Sequence, residues 1–245
     1  MELLKGTELT KAYRKKDRKV TAVDRVSFSL QEKEFLAIVG ESGSGKSSLL
    51  RLIAGLDRPD AGRLYYRGED YTGKKCGDIG RFLQMVFQDA YSSFDPKMKM
   101  LDSVRECGAG KSEEDLRELL KSTGLDEALL MKRPGELSGG QCQRMSIVRA
   151  LYSGAQILLC DEITSALDVS TQAQIVHVFQ QLREERIFSA IFVSHDIALM
   201  GELCERIMVM KDGVCVEEGM MQEVIAHPTH DYTKLLIENA RKQSF

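Results

Sequence analysis

The chain has 245 residues, 43% of them hydrophobic and 29% charged, with a formal net charge of −3. That length holds one large α/β domain, or a main domain with a small inserted subdomain, and buries its own core. The composition excludes a disordered or fibrous chain, and the near-neutral charge gives no global attraction to nucleic acid or anionic lipid.

Met1 to Tyr13 alternates charged and apolar residues and lacks the continuous apolar stretch of a signal peptide. The basic run from Arg14 to Lys19 reads as a solvated hairpin tip, because a nucleic-acid surface clusters charge over a whole face. Val20, Ala22, Val26, Phe28 and Leu30 give residues 20–39 strand character, and Phe35 to Val39 is a buried run that ends at Gly40. After a glycine-rich turn, Leu49, Leu50, Leu52, Ile53 and Leu56 fall at helical spacing, which predicts a helix over Ser47 to Leu56.

Further strands are expected at Leu64 to Tyr66 and Leu83 to Phe87. Leu101 to Tyr152 reads as a helical insertion, with charged residues around Leu116, Leu119 and Leu120. Strand signals return at Ile157 to Cys160, Ile191 to Val193 and Ile207 to Met210, separated by helical stretches near 170–185 and 196–204. That alternation predicts a mostly parallel sheet. A turn at Lys211-Asp212-Gly213 leads into a hairpin strand at Val214 to Val216, and a short helical tail closes the chain.

Apolar runs such as Ile157 to Cys160 and Ala190 to Val193 are strand-sized, far below the roughly 18 residues of a membrane helix. Cys76, Cys107, Cys142, Cys160, Cys204 and Cys215 form no Cys-x-x-Cys pair, which fits a reducing, cytosolic setting in which any membrane association runs through a partner.

Gly40-Glu41-Ser42-Gly43-Ser44-Gly45-Lys46-Ser47 matches the phosphate-binding loop Gly-x-x-x-x-Gly-Lys-Ser/Thr, here between an apolar strand and an amphipathic helix. The alternative is a flexible glycine turn, and the strand-loop-helix context argues against it. In such a loop successive N–H groups face the phosphates and the helix N-terminus points at the same charge. Lys46 then reaches the β and γ phosphates and Ser47 offers its hydroxyl to Mg²⁺.

A second apolar strand ends in Asp161-Glu162. Alone, such a pair reads as a turn or helix cap. Beside a phosphate loop, Asp161 is expected in the Mg²⁺ shell and Glu162 at the attacking water. Ser194-His195-Asp196 follows a strand, which puts His195 at the carboxyl edge of the sheet, where ligands of such folds bind. Read alone, Ser194 or Asp196 serves equally as a cap with His195 a bystander. Gln88 has the same placement. Leu137-Ser138-Gly139-Gly140-Gln141 opens the apolar pattern Met145, Ile147, Val148, Leu151, so it is a capped helix start and also an anion site.

This pentapeptide resembles the signature of the ATP-binding cassette, or ABC, ATPases, and the resemblance spans nearly the whole chain. Gly40 to Ser47 is similar to the family's Walker A, with Ser48 next to it, Ile157 to Glu162 to its Walker B with catalytic glutamate, Gln88 to its Q-loop and His195 to its switch histidine. Ser165-Ala166-Leu167-Asp168 looks like the D-loop, and Tyr13 falls where the family stacks an aromatic ring on adenine; an ordinary strand tyrosine is the other reading.

The resemblance implies one ABC ATP-binding domain, with residues 1–88 and 156–245 as a RecA-like core bearing an antiparallel β region and residues 89–155 as a helical signature subdomain. It implies ATP and Mg²⁺ as cofactors, with Gln88 joining Ser47 and Asp161 around the metal, partly through water. Leu137, Ser138, Gly139, Gly140, Gln141 and Asp168 would act on ATP held by a second ABC ATPase subunit, identical or different. Two permease subunits in the membrane and, indirectly, an extracytoplasmic solute-binding protein would complete the machine, with this chain at the cytoplasmic face.

Phe87 to Pro96 and His227-Pro228-Thr229-His230-Asp231-Tyr232-Thr233 are similar to segments of peptide and nickel importers, which implies import of a peptide, nickel or a metal chelate. His227 and His230 then have a structural role. Export or lipid release, and soluble work on DNA or ribosomes, are the competing functions; a basic face and a coiled-coil insertion, expected of the last, are missing from the sequence. Ile163 and Ala90 stand where the family commonly has proline, and Gly135 where it often has histidine. The sequence stops at Phe245 without the cysteine-rich tail of some relatives, so no iron–sulfur cluster is expected.

Overall fold

The computed structural model describes residues 1–15, 18–108, 111–165, 167–185 and 188–243. Strands β1 (Glu2–Lys15) and β2 (Arg18–Gln31) form a long antiparallel hairpin, paired from Glu2 with Gln31 to Lys15 with Arg18. Arg14 and Lys19 sit exposed near its end, while Lys16 and Asp17 of the basic run lie outside the described residues. The segment before Tyr13 is thus a strand, and the register shift between Gly6 and Leu9 lets Leu4 and Leu9, five residues apart, both be wholly buried.

The next elements are β3 (Phe35–Val39), α1 (Lys46–Ile53), β4 (Ala61–Tyr66), β5 (Glu69–Asp70), α2 (Cys76–Ile79) and β6 (Leu83–Val86). Helices α3 (Met100–Arg105), α4 (Glu113–Ser122) and α5 (Gly139–Tyr152) precede β7 (Ile157–Asp161) and α6 (Val169–Glu185). The chain closes with β8 (Ser189–Ser194), α7 (Ile197–Leu203), β9 (Arg206–Lys211), β10 (Val214–Met220), α8 (Met221–Ala226) and α9 (Asp231–Gln243). Among the described residues no helix is long and apolar enough to cross a membrane.

These elements form two compact units, Met1–Ile79 with Ser189–Phe245, and Gly80–Phe188. The first holds an antiparallel sheet ordered β2-β1-β4-β5 and a second set of strands ordered β10-β9-β3-β8. Strand β3 runs parallel to both β8 and β9, while β9 and β10 are an antiparallel hairpin. A central parallel strand is covered on both faces, which is why Phe35 to Val39 is apolar without alternation and buried at every position.

Helix α1 has only eight residues, too few for stability from propensity alone. Leu49, Leu50, Leu52 and Ile53 are all fully buried, at roughly 1.5–3 kcal/mol per side chain, so packing holds it in place. It ends earlier than the predicted Leu56. Gly55 takes φ 67, its N–H donates to the Leu52 carbonyl at 3.1 Å and the Leu56 N–H to Arg51 at 3.0 Å, a left-handed stop that only glycine adopts without strain.

In the second unit β6 and β7 pair in parallel, from Leu83 with Ile157 to Val86 with Cys160. The helical insertion read over Leu101 to Tyr152 holds α3, α4 and α5, with 3-10 turns at Glu127–Met131 and Pro134–Glu136 between α4 and α5.

Candidate nucleotide-binding site

The loop from Gly40 to Gly45 joins the buried end of β3 to the start of α1. Lys46, only 4% exposed, folds back so that its Nζ donates to the Gly40 carbonyl at 2.8 Å and the Glu41 carbonyl at 2.9 Å. A buried ammonium needs several acceptors, and the loop's own carbonyls supply them. Ser42 and Gly43 are exposed, Ser44 is buried, and Ser47 lies exposed on the first turn of α1. Outside the loop, the Gly213 N–H in the β9–β10 turn donates to the Ser44 carbonyl at 3.0 Å.

Tyr13, near the end of β1, donates its hydroxyl to Asp57 Oδ2 at 2.7 Å, and Ser48 is a further hydroxyl partner. Arg51 Nε on α1 donates to the same Asp57 oxygen at 2.8 Å. Burial and then the hydrogen bond to Asp57 raise the tyrosine pKa, while the bond from Arg51 holds Asp57 below the usual carboxylate range. The ring of Tyr13 is thereby tied to the helix that follows the phosphate loop. Asp57 and Arg51 escaped the sequence reading because nothing in their spacing marks them.

His195 follows β8 directly. Val39 and Ser194 are register partners in the parallel β3–β8 pair, so Gly40 and His195 leave adjacent strands at the same carboxyl edge. The cap reading of its neighbours also holds: Asp196 Oδ1 accepts the Leu199 N–H at 3.0 Å and Ser194 Oγ accepts the Asp196 N–H at 3.0 Å. His195 is left exposed at the edge.

In the second unit, Val86 pairs with Cys160, so the chain beyond β6 brings Gln88 to the same edge as Asp161 and Glu162. The predicted strand stops at Val86 rather than Phe87, which is 39% exposed and whose carbonyl accepts from Gln143 Nε2 at 3.3 Å. Glu162 adopts φ 47, a left-handed conformation that costs a non-glycine residue of order 1–3 kcal/mol and persists where the surroundings enforce it. Here Ser165 donates both its N–H (3.1 Å) and its hydroxyl (2.9 Å) to the Glu162 carbonyl.

Asp168 accepts from the Thr171 N–H at 3.0 Å and hydroxyl at 2.8 Å, bonds that lower its pKa. Gln172, missed in the sequence, donates to the Thr164 and Leu167 carbonyls at 3.0 and 3.3 Å and so closes the turn. Ala166 of the D-loop resemblance lies outside the described residues.

Ser138 caps α5 in a reciprocal box: its Oγ accepts the Gln141 N–H at 3.3 Å, and Gln141 Oε1 accepts the Ser138 N–H at 3.0 Å. Leu137 is buried, and its carbonyl accepts from the Tyr91 hydroxyl at 2.6 Å. A side chain on Gly140 would meet Thr171 Cγ2 at 2.6 Å, so this end of α5 lies close against α6, while Ser138 and Gly139 remain exposed. Ser138→Ala removes the cap and is expected to cost about 1 kcal/mol, measured as a shift in urea unfolding; a neutral result would mean the Gln141 half of the box suffices.

A glycine loop closed on a lysine between a buried parallel strand and a helix N-terminus defines a phosphate-loop nucleotide-binding protein. A profile of the ABC transporter family matches residues 23–165, and the chain belongs to that family as one of its ATP-hydrolysing cassettes. It is 40% identical over 227 residues to the oligopeptide transport ATP-binding protein OppF of Salmonella typhimurium, a match covering 88% of this chain and 68% of that protein. It is 34% identical over 232 residues to the dipeptide transport ATP-binding protein DppF of Haemophilus influenzae, covering 91% and 71%. Among solved structures, the ATP-binding cassette MJ0796, in a dimeric post-hydrolysis state bound to ADP and Pi, superposes with a TM-score of 0.78 at 31% identity, covering 89% of this chain and 99% of that one. The fold is the ABC ATPase fold expected above.

Proposed function

We propose that this chain is the ATP-hydrolysing subunit of a peptide importer, working at the cytoplasmic face of the membrane through two separate permease subunits, with an extracytoplasmic solute-binding protein delivering the cargo. The observation that carries ATP binding is Lys46, buried at a helix N-terminus and held over the Gly40 and Glu41 carbonyls. Peptide is preferred over nickel or a metal chelate as cargo because the similar proteins are named for oligopeptide and dipeptide transport.

In this reading Gly40 to Ser48 wrap the phosphates with backbone N–H groups, Lys46 holds the β and γ phosphates, and Tyr13 stacks on adenine. Ser47, Gln88 and Asp161 are hydroxyl, amide and carboxylate donors, an all-oxygen set that suits Mg²⁺. When bound, the ion neutralises charge developing on the transferred phosphoryl group. Glu162 accepts the proton of the attacking water and His195 donates to the γ-phosphate. Leu137 to Gln141 and Asp168 act on ATP held by a second ABC ATPase subunit, of the same or another chain. Residues 1–88 and 156–245 serve as the RecA-like core and 89–155 as the helical signature subdomain.

Deleting the gene is expected to abolish uptake of di- or oligopeptides, with rescue by the wild-type chain and none by Lys46→Ala. Normal peptide uptake with lost nickel uptake would reassign the cargo, and lost efflux would make it an exporter.

A further inference from the structure

The segment His227 to Thr233 has no part in the site described so far, yet it reaches the phosphate loop. Tyr232 is 6% exposed, and its hydroxyl oxygen accepts the Glu41 backbone N–H at 2.9 Å across 191 residues of sequence. The Lys211 ammonium lies 4.9 Å from the centre of the tyrosine ring, within cation–π range. The segment behind it is anchored. Glu217 on β10 accepts from the Thr229 N–H and hydroxyl, each at 2.8 Å, and from the His230 N–H at 3.0 Å, while His230 Nδ1 accepts the Tyr232 N–H at 3.1 Å. Burial alone would raise the Glu217 carboxyl, but the hydrogen bonds from Thr229 and His230 outweigh it and hold it down at about 2.

We propose that Tyr232 is a positioning residue for the nucleotide: its hydroxyl fixes the first peptide of the phosphate loop, and Glu217 fixes the segment that carries Tyr232. The physical need is clear. Glycines at 40, 43 and 45 leave the loop conformationally free, and ordering it only on binding would cost affinity. Tyr232 at Glu41 and the Gly213 N–H at Ser44 restrain the loop from two sides before any phosphate arrives. The inference rests on the reading of Gly40 to Ser47 as the nucleotide loop.

The test is calorimetric titration of the purified chain with ATP and with ADP, alongside thermal melting, for wild type, Tyr232→Phe and Glu217→Gln. Phenylalanine keeps the ring and removes one hydrogen bond of about 1 kcal/mol, so affinity for both nucleotides should fall roughly fivefold, with KM for ATP rising and kcat within about twofold. Glu217→Gln should shift affinity in the same direction by less. A role confined to stability would lower the melting midpoint and leave the affinity of the folded protein unchanged, and that result overturns the proposal. Wild-type chain that fails to bind ATP would instead overturn the nucleotide reading beneath it.

Discussion

Glu162→Gln is expected to lower MgATP hydrolysis by about 10²–10⁴-fold, the usual contribution of a positioned general base, with ATP binding retained. Glutamine keeps the size and polarity of the side chain and loses only the ability to accept the proton. The backbone demand at this position, φ 47 with both Ser165 donors on the carbonyl, is the same for glutamate and glutamine, so the local fold is unaffected. Phosphate release at saturating MgATP, with nucleotide affinity measured in parallel, checks this. More than about a tenth of the wild-type rate would place the base elsewhere. The same variant, by stalling hydrolysis, should trap an ATP-dependent doubling of solution mass if two copies pair, and stay monomeric with ATP bound if the partner is a different chain.

Gly45→Ala should be among the most damaging single methyls in the phosphate loop. Gly45 has φ 104, and an added Cβ would stand 2.1 Å from the Ala22 carbonyl oxygen, which belongs to strand β2 and cannot swing aside like a side chain. Left-handed backbone costs a non-glycine residue about 1–3 kcal/mol, and relieving the clash requires moving either the loop or the strand. Loss of more than about 2 kcal/mol in urea unfolding, together with loss of ATP binding, is the expected outcome. Gly43→Ala is the control: its φ of 86 carries comparable strain, but nothing lies within 4 Å of the added carbon. Equal effects at the two positions would show that the clash is relaxed and strain alone operates.

The parts of the fold and site that were legible in the sequence are those written in local pattern. Phe35 to Val39, the glycine loop and the apolar face of α1 announce themselves within 20 residues, because a central parallel strand and a short packed helix each impose a distinctive spacing. The cap at Ser138 is read from the sequence, whereas the reciprocal role of Gln141 three residues on is shown only by the structure. Groups that act across long sequence separations are not legible in the sequence. Asp57 meets Tyr13 from 44 residues away and Tyr232 meets Glu41 from 191, and no periodicity encodes such pairs. The apolar spacing predicts α1 three residues too long since Leu56 continues it, while the Gly55 stop depends on a backbone angle that glycine permits and does not compel. Gln172 gave no signal at all, since a polar helix residue normally faces water.

Within the second unit, the stretch after Gln88 is fastened at three places, once to the residue before the Ser138 cap and twice to the last turn of helix α5. The Tyr91 hydroxyl donates to the Leu137 carbonyl at 2.6 Å, Arg149 Nη1 donates to the Ser93 carbonyl at 2.6 Å, and the Arg149 guanidinium stacks 4.1 Å from the centre of the Phe94 ring. Burial lowers the Arg149 pKa, and a half-buried cation with a carbonyl and a ring as partners does not leave them cheaply. Residues 91–94 are therefore held at once to the turn that presents Ser138 and to the last turn of α5, and a displacement of that stretch is expected to carry both with it, as a stiff lever would.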